Sequence, residues 1–138
     1  MHKVILDTNV IISSILSRSY PYLIVYRLIL QSKIQNYFSN ETRQELEAAL
    51  SYPKFSKIKG FENDSKAILN ALRRLSISQE PSSHIELLID SSDNKFVDIA
   101  LSTSADFLIT GNLKHFPFSR IENTEIISPE RYWNTHWK

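Results

Sequence analysis

The segment Val4-Ile5-Leu6-Asp7-Thr8-Asn9 decides how this chain folds. Three large apolar residues in a row, without polar alternation, are typical of a strand that is buried on both faces, as in a parallel sheet. Asp7 then lies at the carboxyl end of the strand, and Thr8 or Asn9 is expected to cap a buried helix over residues 10–16. Open α/β sheets place their sites beyond these strand ends. Asp7 is therefore a candidate site residue, with a plain turn or cap role as the alternative.

The composition is that of a soluble globular protein with a real hydrophobic core. Of the 138 residues, 42% are hydrophobic and 22% are charged. The absence of cysteine excludes a disulfide scaffold, a thiolate metal site and a cysteine nucleophile. A formal charge of +1 gives no overall basic character, so contact with nucleic acid depends on local basic groups. The candidates, for which ordinary solvated surface is the alternative, are Lys54, Lys57, Lys59, Arg73 and Arg74.

The sequence contains no pattern of a membrane or secreted protein. No apolar run approaches the length of a membrane-spanning helix. The first residues enter the predicted strand directly, without the pattern of a signal peptide. We therefore expect a cytoplasmic protein, with one domain covering residues 1–138.

The remainder of the chain alternates helical patterns with short apolar runs. Helices are predicted over residues 20–30, 42–50, 64–75, 93–104 and 130–133, and strands over 36–39, 107–110 and 125–127. Residues 54–63 are predicted to form a loop or a short helical excursion. Residues 76–84 are predicted to form a connection or an edge strand, and residues 85–89 a short strand or loop. This alternation predicts a three-layer α/β protein.

A second acid lies on the inward side of a predicted helix. At about 100° per residue, Phe96 and Ala100 fall within about 60° of the direction of Asp93. Asp98 lies roughly 140° away and is predicted to face solvent. The alternative for Asp93 is an N-terminal cap, since acids are favoured there by the helix dipole.

Three acids are candidates to meet above the sheet. Glu45 flanks an apolar helical stripe, so it can reach towards Asp7 and Asp93, although a solvated role is the alternative for Glu45 alone. Two carboxylates about 4 Å apart repel by about 4 kcal/mol at an effective dielectric of 20, which favours a neutralising cation. Oxygen ligands without cysteine or a histidine pair suit Mg²⁺ or Mn²⁺. Such ions assist the hydrolysis of phosphodiesters.

Four features of the sequence occur in a fixed order, namely Leu6-Asp7-Thr8-Asn9-Val10, Glu45, Asp93-Asn94-Lys95-Phe96 with Ala100, and Ala105-Asp106-Phe107-Leu108-Ile109-Thr110-Gly111-Asn112. Together they resemble the PIN domain, and most closely the PIN-family toxins of prokaryotic toxin–antitoxin systems. The resemblance covers nearly the whole chain, including the ending over residues 127–130.

This resemblance implies a parallel sheet of order 3-2-1-4-5, an Mg²⁺- or Mn²⁺-dependent endoribonuclease acting on RNA, an antitoxin partner and frequent homodimers. It assigns catalytic and metal-binding roles to Asp7, Glu45 and Asp93. The candidates for supporting these acids or contacting substrate are Thr8, Asn9, Thr110 and Asn112. The family often has a further Asp where this chain has Asn112, so we expect weaker metal binding or a single tightly held ion. Residues 20–30 are the candidate partner or dimer face.

Two other functions are consistent with the same residues. The first is a PIN fold with weak or no catalysis that binds RNA or a protein. The second is a phosphatase of another α/β family, because Asp7-Thr8-Asn9-Val10 weakly resembles an Asp-x-Asp motif with Asn9 replacing the second acid. His84, His115 and His136 share no metal-ligand spacing. His115 is placed to touch a phosphate, with a surface role as the alternative.

Overall fold

A mostly parallel sheet forms the centre of the computed structural model, which describes residues 1–82 and 93–138. Its strands are β1 (Lys3–Leu6), β2 (Gln35–Phe38), β3 (Ile77–Ser78), β4 (Phe107–Ile109), β5 (Arg120–Ile121) and β6 (Thr124–Ile127). They lie in the order β3-β2-β1-β4-β6-β5. The short strand or loop predicted at residues 85–89 and His84 lie outside the described residues.

The five parallel strands follow the predicted order, with β6 in the fifth position. The prediction was wrong in omitting β5, which pairs antiparallel with β6 at the edge of the sheet. This strand has two residues and precedes a tight turn in which Glu122 has a φ of 50°. A two-residue strand is too short to show an alternating pattern, so the sequence contains no periodic signal for it.

Helices cover the sheet and begin close to the predicted positions. They are α1 (Thr8–Leu16), α2 (Tyr20–Tyr22), a π-helical segment (Leu23–Ile29), α3 (Asn40–Leu50), α4 (Phe61–Leu75), α5 (Asn94–Thr103) and α6 (Pro129–His136). The predicted excursion at residues 54–63 overlaps a 3₁₀ turn over Pro53–Phe55 and the first turn of α4. No helix in the described ranges is both long and apolar enough to cross a membrane.

The three-layer architecture follows from the alternating side chains of β1. Val4 and Leu6 face one layer, where they join a core that includes Ile11 of α1 and Leu72 of α4. Ile5 faces the opposite layer and packs with residues of α5. The unbroken apolar run therefore lies between two helical layers, as the sequence predicted.

Asp98 corrects one prediction about α5. It was expected to face solvent, but only 4% of its surface is exposed. Residues 94–100 are all buried, so the first two turns of α5 are enclosed on every side. Helical periodicity identifies an outward face only when one side of the helix meets solvent, and here no side does.

The two ends of the described chain meet in an aromatic cluster. The Tyr132 hydroxyl lies 2.8 Å from Nδ1 of His2 and accepts a hydrogen bond of 3.1 Å from Nε1 of Trp137. Burial raises the pKa of Tyr132 to about 12. Burial, reinforced by the nearby His136, lowers the pKa of His2 below its ordinary value.

The lowered pKa of His2 predicts a loss of stability in mild acid. The unfolded chain binds a proton at His2 near pH 6.5, whereas the folded protein binds it only at lower pH, so stability falls as the pH drops through that window. We expect melting temperatures to fall more between about pH 7.5 and about pH 5 in the wild type than in His2→Asn, whose amide can still hydrogen-bond Tyr132. Identical pH dependence of the two proteins would contradict this assignment.

Candidate active site

A cavity of about 390 Å³ opens at the carboxyl edge of the parallel strands. It is lined by Asp7, Thr8, Asn9, Ile12, Leu16, Glu45, Ala49, Tyr52, Lys54, Phe55, Asp93, Asn112 and His115. This list contains every predicted site residue except Thr110. A larger groove of about 590 Å³ lies beside β5 and β6, but Glu125 is the one acid among its described lining residues. We therefore choose the smaller cavity as the candidate active site because of its acidic lining, although the other groove has the larger volume.

Asp7 is fixed by two elements of the fold. Its Oδ1 accepts a hydrogen bond of 3.2 Å from the Asn9 backbone amide, so Asp7 is the residue that caps α1. The prediction that Thr8 or Asn9 caps this helix was wrong. Its Oδ2 accepts a hydrogen bond of 2.8 Å from the Thr110 hydroxyl. Only 4% of Asp7 is exposed. The carboxylate is thus held in one orientation at the N-terminus of α1, where the helix dipole favours negative charge.

Glu45 reaches the cavity from α3 and is held by two neighbours. The Thr8 hydroxyl donates a short hydrogen bond to Oε2 of Glu45. Nζ of Lys95 lies 2.9 Å from Oε1, with the Lys95 side chain almost fully buried and that of Glu45 about one third exposed. The inward position of Glu45 agrees with the prediction, whereas no pattern in the sequence indicated the cation beside it.

Asp93 lies immediately before α5, and 9% of its surface is exposed. Asp93 occupies the N-cap position of α5, where the helix dipole favours its negative charge, although among the described residues its carboxylate makes no cap hydrogen bond. Its Oδ2 lies 3.0 Å from Nδ1 of His115, which belongs to a 3₁₀ turn over Leu113–His115. His115 therefore contacts an acid at the cavity, and is not simply a surface residue.

Thr110 and Asn112 follow β4 at the edge occupied by Asp7. Thr110 is fully buried beneath the cavity and donates its hydroxyl hydrogen to Asp7. The same hydroxyl oxygen accepts a hydrogen bond of 3.0 Å from the Asn112 backbone amide. Thr110 therefore connects the strand-end acid to the turn that carries Asn112.

The ligand chemistry of the cavity fits a hard divalent cation. Carboxylates contribute six oxygens from Asp7, Glu45 and Asp93, and oxygen is the donor that Mg²⁺ and Mn²⁺ prefer. As the side chains are arranged here, no group of three acids or histidines among the described residues is close enough to enclose an ion. The metal-binding role of the three acids therefore stays a prediction.

Sequence reasoning missed several residues of the cavity. Lys95, which contacts Glu45 but is not among the residues that line the cavity, was named only within a motif, because a lysine in a buried helix gives no periodic signal. Tyr52 was not predicted as a site residue, and Lys54 was predicted only as a local basic group for contact with nucleic acid, with solvated surface as the alternative. The detectable signal was their position, just beyond the helix that carries Glu45.

These features define a class of protein: a layered α/β protein with an acid-lined cavity beyond the ends of its central parallel strands. The sequence matches the model of the PIN domain over residues 3–114, and the chain belongs to the PIN domain family. This confirms the family predicted from the motifs. PIN domains are typically metal-dependent nucleases.

An archaeal relative supports the same membership. The chain is 34% identical over 110 residues to an uncharacterized protein of Methanocaldococcus jannaschii. The aligned region covers 80% of this chain and 70% of that protein. Because the relative is itself uncharacterized, the similarity supports the family without adding an activity.

Asn112 gives a test of whether the cavity holds a metal ion. An added charge about 4 Å from a divalent ion is worth about 2 kcal/mol even in a water-like dielectric, which is more than tenfold in affinity. We therefore expect Asn112→Asp to bind Mn²⁺ at least about tenfold more tightly by calorimetry. Asn123→Asp adds the same charge on the exposed turn before β6 and should leave the isotherm unchanged. Equal affinities for wild type and Asn112→Asp would place Asn112 outside the metal site.

Proposed function

We propose that this protein is a metal-dependent endoribonuclease that hydrolyses phosphodiester bonds of RNA, and that it is the toxin of a toxin–antitoxin pair. One observation carries the proposal. Carboxylates from three separate parts of a PIN domain, Asp7, Glu45 and Asp93, line one cavity at the carboxyl edge of the sheet. Since RNA is the substrate in this proposal, the protein acts in the cytoplasm.

Asp7, Glu45 and Asp93 are the residues that would hold Mg²⁺ or Mn²⁺. When bound, the ion would act as a Lewis acid, which would stabilise charge on phosphoryl oxygens and make water a better nucleophile. The surrounding residues set the orientation of the acids, because Thr110 holds Asp7 and Thr8 holds Glu45. Asn9 and Asn112 place amide groups on the cavity wall, where an amide hydrogen can be donated to a phosphate.

A second candidate is a PIN domain that binds RNA without cutting it. The observation favouring it is the close ion pair between Lys95 and Glu45, which supplies a positive charge where a metal ion would otherwise be needed. Asn112 reduces the negative charge of the cavity further, relative to an Asp at that position.

The proposal includes an antitoxin that restrains the activity, and a homodimer. The predicted partner face at residues 20–30 uses part of its apolar surface inside the protein, since Ile24, Val25 and Leu28 are buried. Tyr22 and Tyr26 are half-buried and stack with their ring centroids 4.4 Å apart. These stacked rings are the part of the segment that we propose for contact with another chain.

Two substitutions test the catalytic assignment. Asp7→Asn and Asp93→Asn should each abolish cleavage of a mixed RNA pool in Mg²⁺ or Mn²⁺, measured by mapping the new ends. Each substitution removes one negative charge from the cavity, and Asn caps helices about as well as Asp, so both variants should fold. Asp64→Asn, at an exposed position of α4, is the matched control and should cleave like wild type.

Each alternative result has a distinct meaning. Full activity of either cavity variant would remove that residue from the mechanism. Cleavage by the wild type in EDTA would contradict metal dependence. RNA binding without cleavage in either metal would favour the second candidate.

A further inference from the structure

Tyr52 is an exposed aromatic residue at the rim of the acidic cavity. Half of its surface is exposed, in contrast to the neighbouring Phe55 and Phe61, which are buried. Its backbone amide donates to the Ala49 carbonyl, and its own carbonyl accepts from the Phe55 amide. The backbone on both sides of Tyr52 is therefore fixed, and the proposed chemistry gives this ring no role.

The Tyr52 ring rests on a supported aromatic stack. Its plane lies within 9° of that of Phe55, at a centroid distance of 6.5 Å. Phe55 stacks in turn on Phe61 at 4.6 Å, and both belong to a small core cluster with Ile12 and Ala49. Phe55 is thus anchored on the protein side, and Tyr52 presents a largely preorganised surface at the cavity.

Lys54 places a positive charge beside this ring, and the loop that follows carries two further lysines. Residues 52–60 contain Lys54, Lys57 and Lys59 and no acid. Nζ of Lys54 lies 6.0 Å from the centroid of the Tyr52 ring and 5.1 Å from that of Phe55, and Lys54 itself lines the cavity. Lys57 and Lys59 are exposed on the loop that follows.

The negative charge of the cavity explains why a polynucleotide would need a basic and aromatic surface beside it. A polynucleotide carries a negative charge on every phosphate, and the carboxylates of Asp7, Glu45 and Asp93 repel it. Lys54 at the rim offsets part of this repulsion and attracts the backbone beside the acids. An aromatic face next to a basic groove is the combination that binds single strands, because any unpaired base can stack on it.

We propose that Tyr52 and Lys54, here called the Tyr52 platform, bind a single-stranded segment of RNA next to the phosphate in the cavity, with Lys57 and Lys59 on the following loop adding positive charge. One base stacks on the Tyr52 ring, and Lys54 contacts an adjacent phosphate. This inference rests on the proposed function for the identity of the substrate. It adds selectivity for unpaired RNA, because bases inside a duplex are already stacked and cannot reach the ring.

Binding measured in EDTA tests the platform separately from cleavage. The probe is a fluorescent single-stranded RNA of about 12 nucleotides, a length in the range of known single-strand sites. Tyr52→Ala should weaken binding by roughly 5- to 150-fold, the range that corresponds to the loss of one stacked base. Tyr52→Leu keeps apolar volume without a ring and should stay weak, whereas Tyr52→Phe should rescue binding. A duplex of the same sequence should bind more weakly than the single strand and show no dependence on the ring.

The salt dependence of binding tests the lysines. Lys54→Gln should reduce the slope of log K against log salt concentration by about 0.7, the value for one phosphate contact on a single strand. Lys33→Gln is the matched control. Lys33 is exposed just before β2, at the opposite edge of the sheet, so the slope should not change.

The outcomes separate this inference from the proposed function. If the wild type binds single-stranded RNA through the ring but does not cut it in Mg²⁺ or Mn²⁺, the platform stands and the nuclease proposal fails. If Tyr52→Ala or Tyr52→Leu binds as tightly as wild type while cleavage persists, the platform is overturned and the ring becomes a candidate protein contact. Absence of RNA binding by the wild type, or equal binding of the duplex, also overturns it.

Discussion

The parallel pairing of β1 with β4 is the constraint on which the candidate site depends. Leu6 lies opposite Ile109, and the backbone amide of Asp7 extends the pairing with a 3.0 Å hydrogen bond to the Ile109 carbonyl. Both β1 and β4 therefore end at the same edge of the sheet, where the Thr110 hydroxyl donates a hydrogen bond to Asp7. A shift of one residue would turn Asp7 towards the opposite face of the sheet. The apolar residues that bury β1 thus also determine where the acid lies.

Each of the three acids that line the cavity contacts a different kind of neighbouring group. Asp7 is held by uncharged donors, Glu45 lies beside the ammonium group of Lys95, and Asp93 contacts His115. These contacts reduce repulsion among carboxylates that would cost about 4 kcal/mol for a pair about 4 Å apart. They also compete with a cation for the same oxygens. Under the proposed function, metal affinity is therefore set by these donors as well as by the acids.

Periodicity predicted the elements that have one buried face or a long apolar run. It placed β1, α3 and α4 within a few residues, and it placed Asp93 inward. It failed at α5, where Asp98 is buried because the helix is enclosed, and at β5, which is too short to show a pattern. The contacts of Lys95 and His115 with the acids join residues distant in sequence, and neither spacing nor composition records such contacts. The chain positions of the candidate acids were therefore predictable, as were the supporting hydroxyl groups of Thr8 and Thr110, but the charged partner Lys95 and the contact with His115 were not.

Paramagnetic broadening by Mn²⁺ in nuclear magnetic resonance spectra tests the central claim most directly. At substoichiometric Mn²⁺, the account predicts selective loss of the backbone amide signals of Thr8, Asn9 and Asn112, which line the acidic cavity. The signals of Lys33 and Glu122, exposed elsewhere on the protein, should persist. Loss of signals at a different surface, or uniform weak broadening with no preferred region, would contradict a metal site formed by Asp7, Glu45 and Asp93.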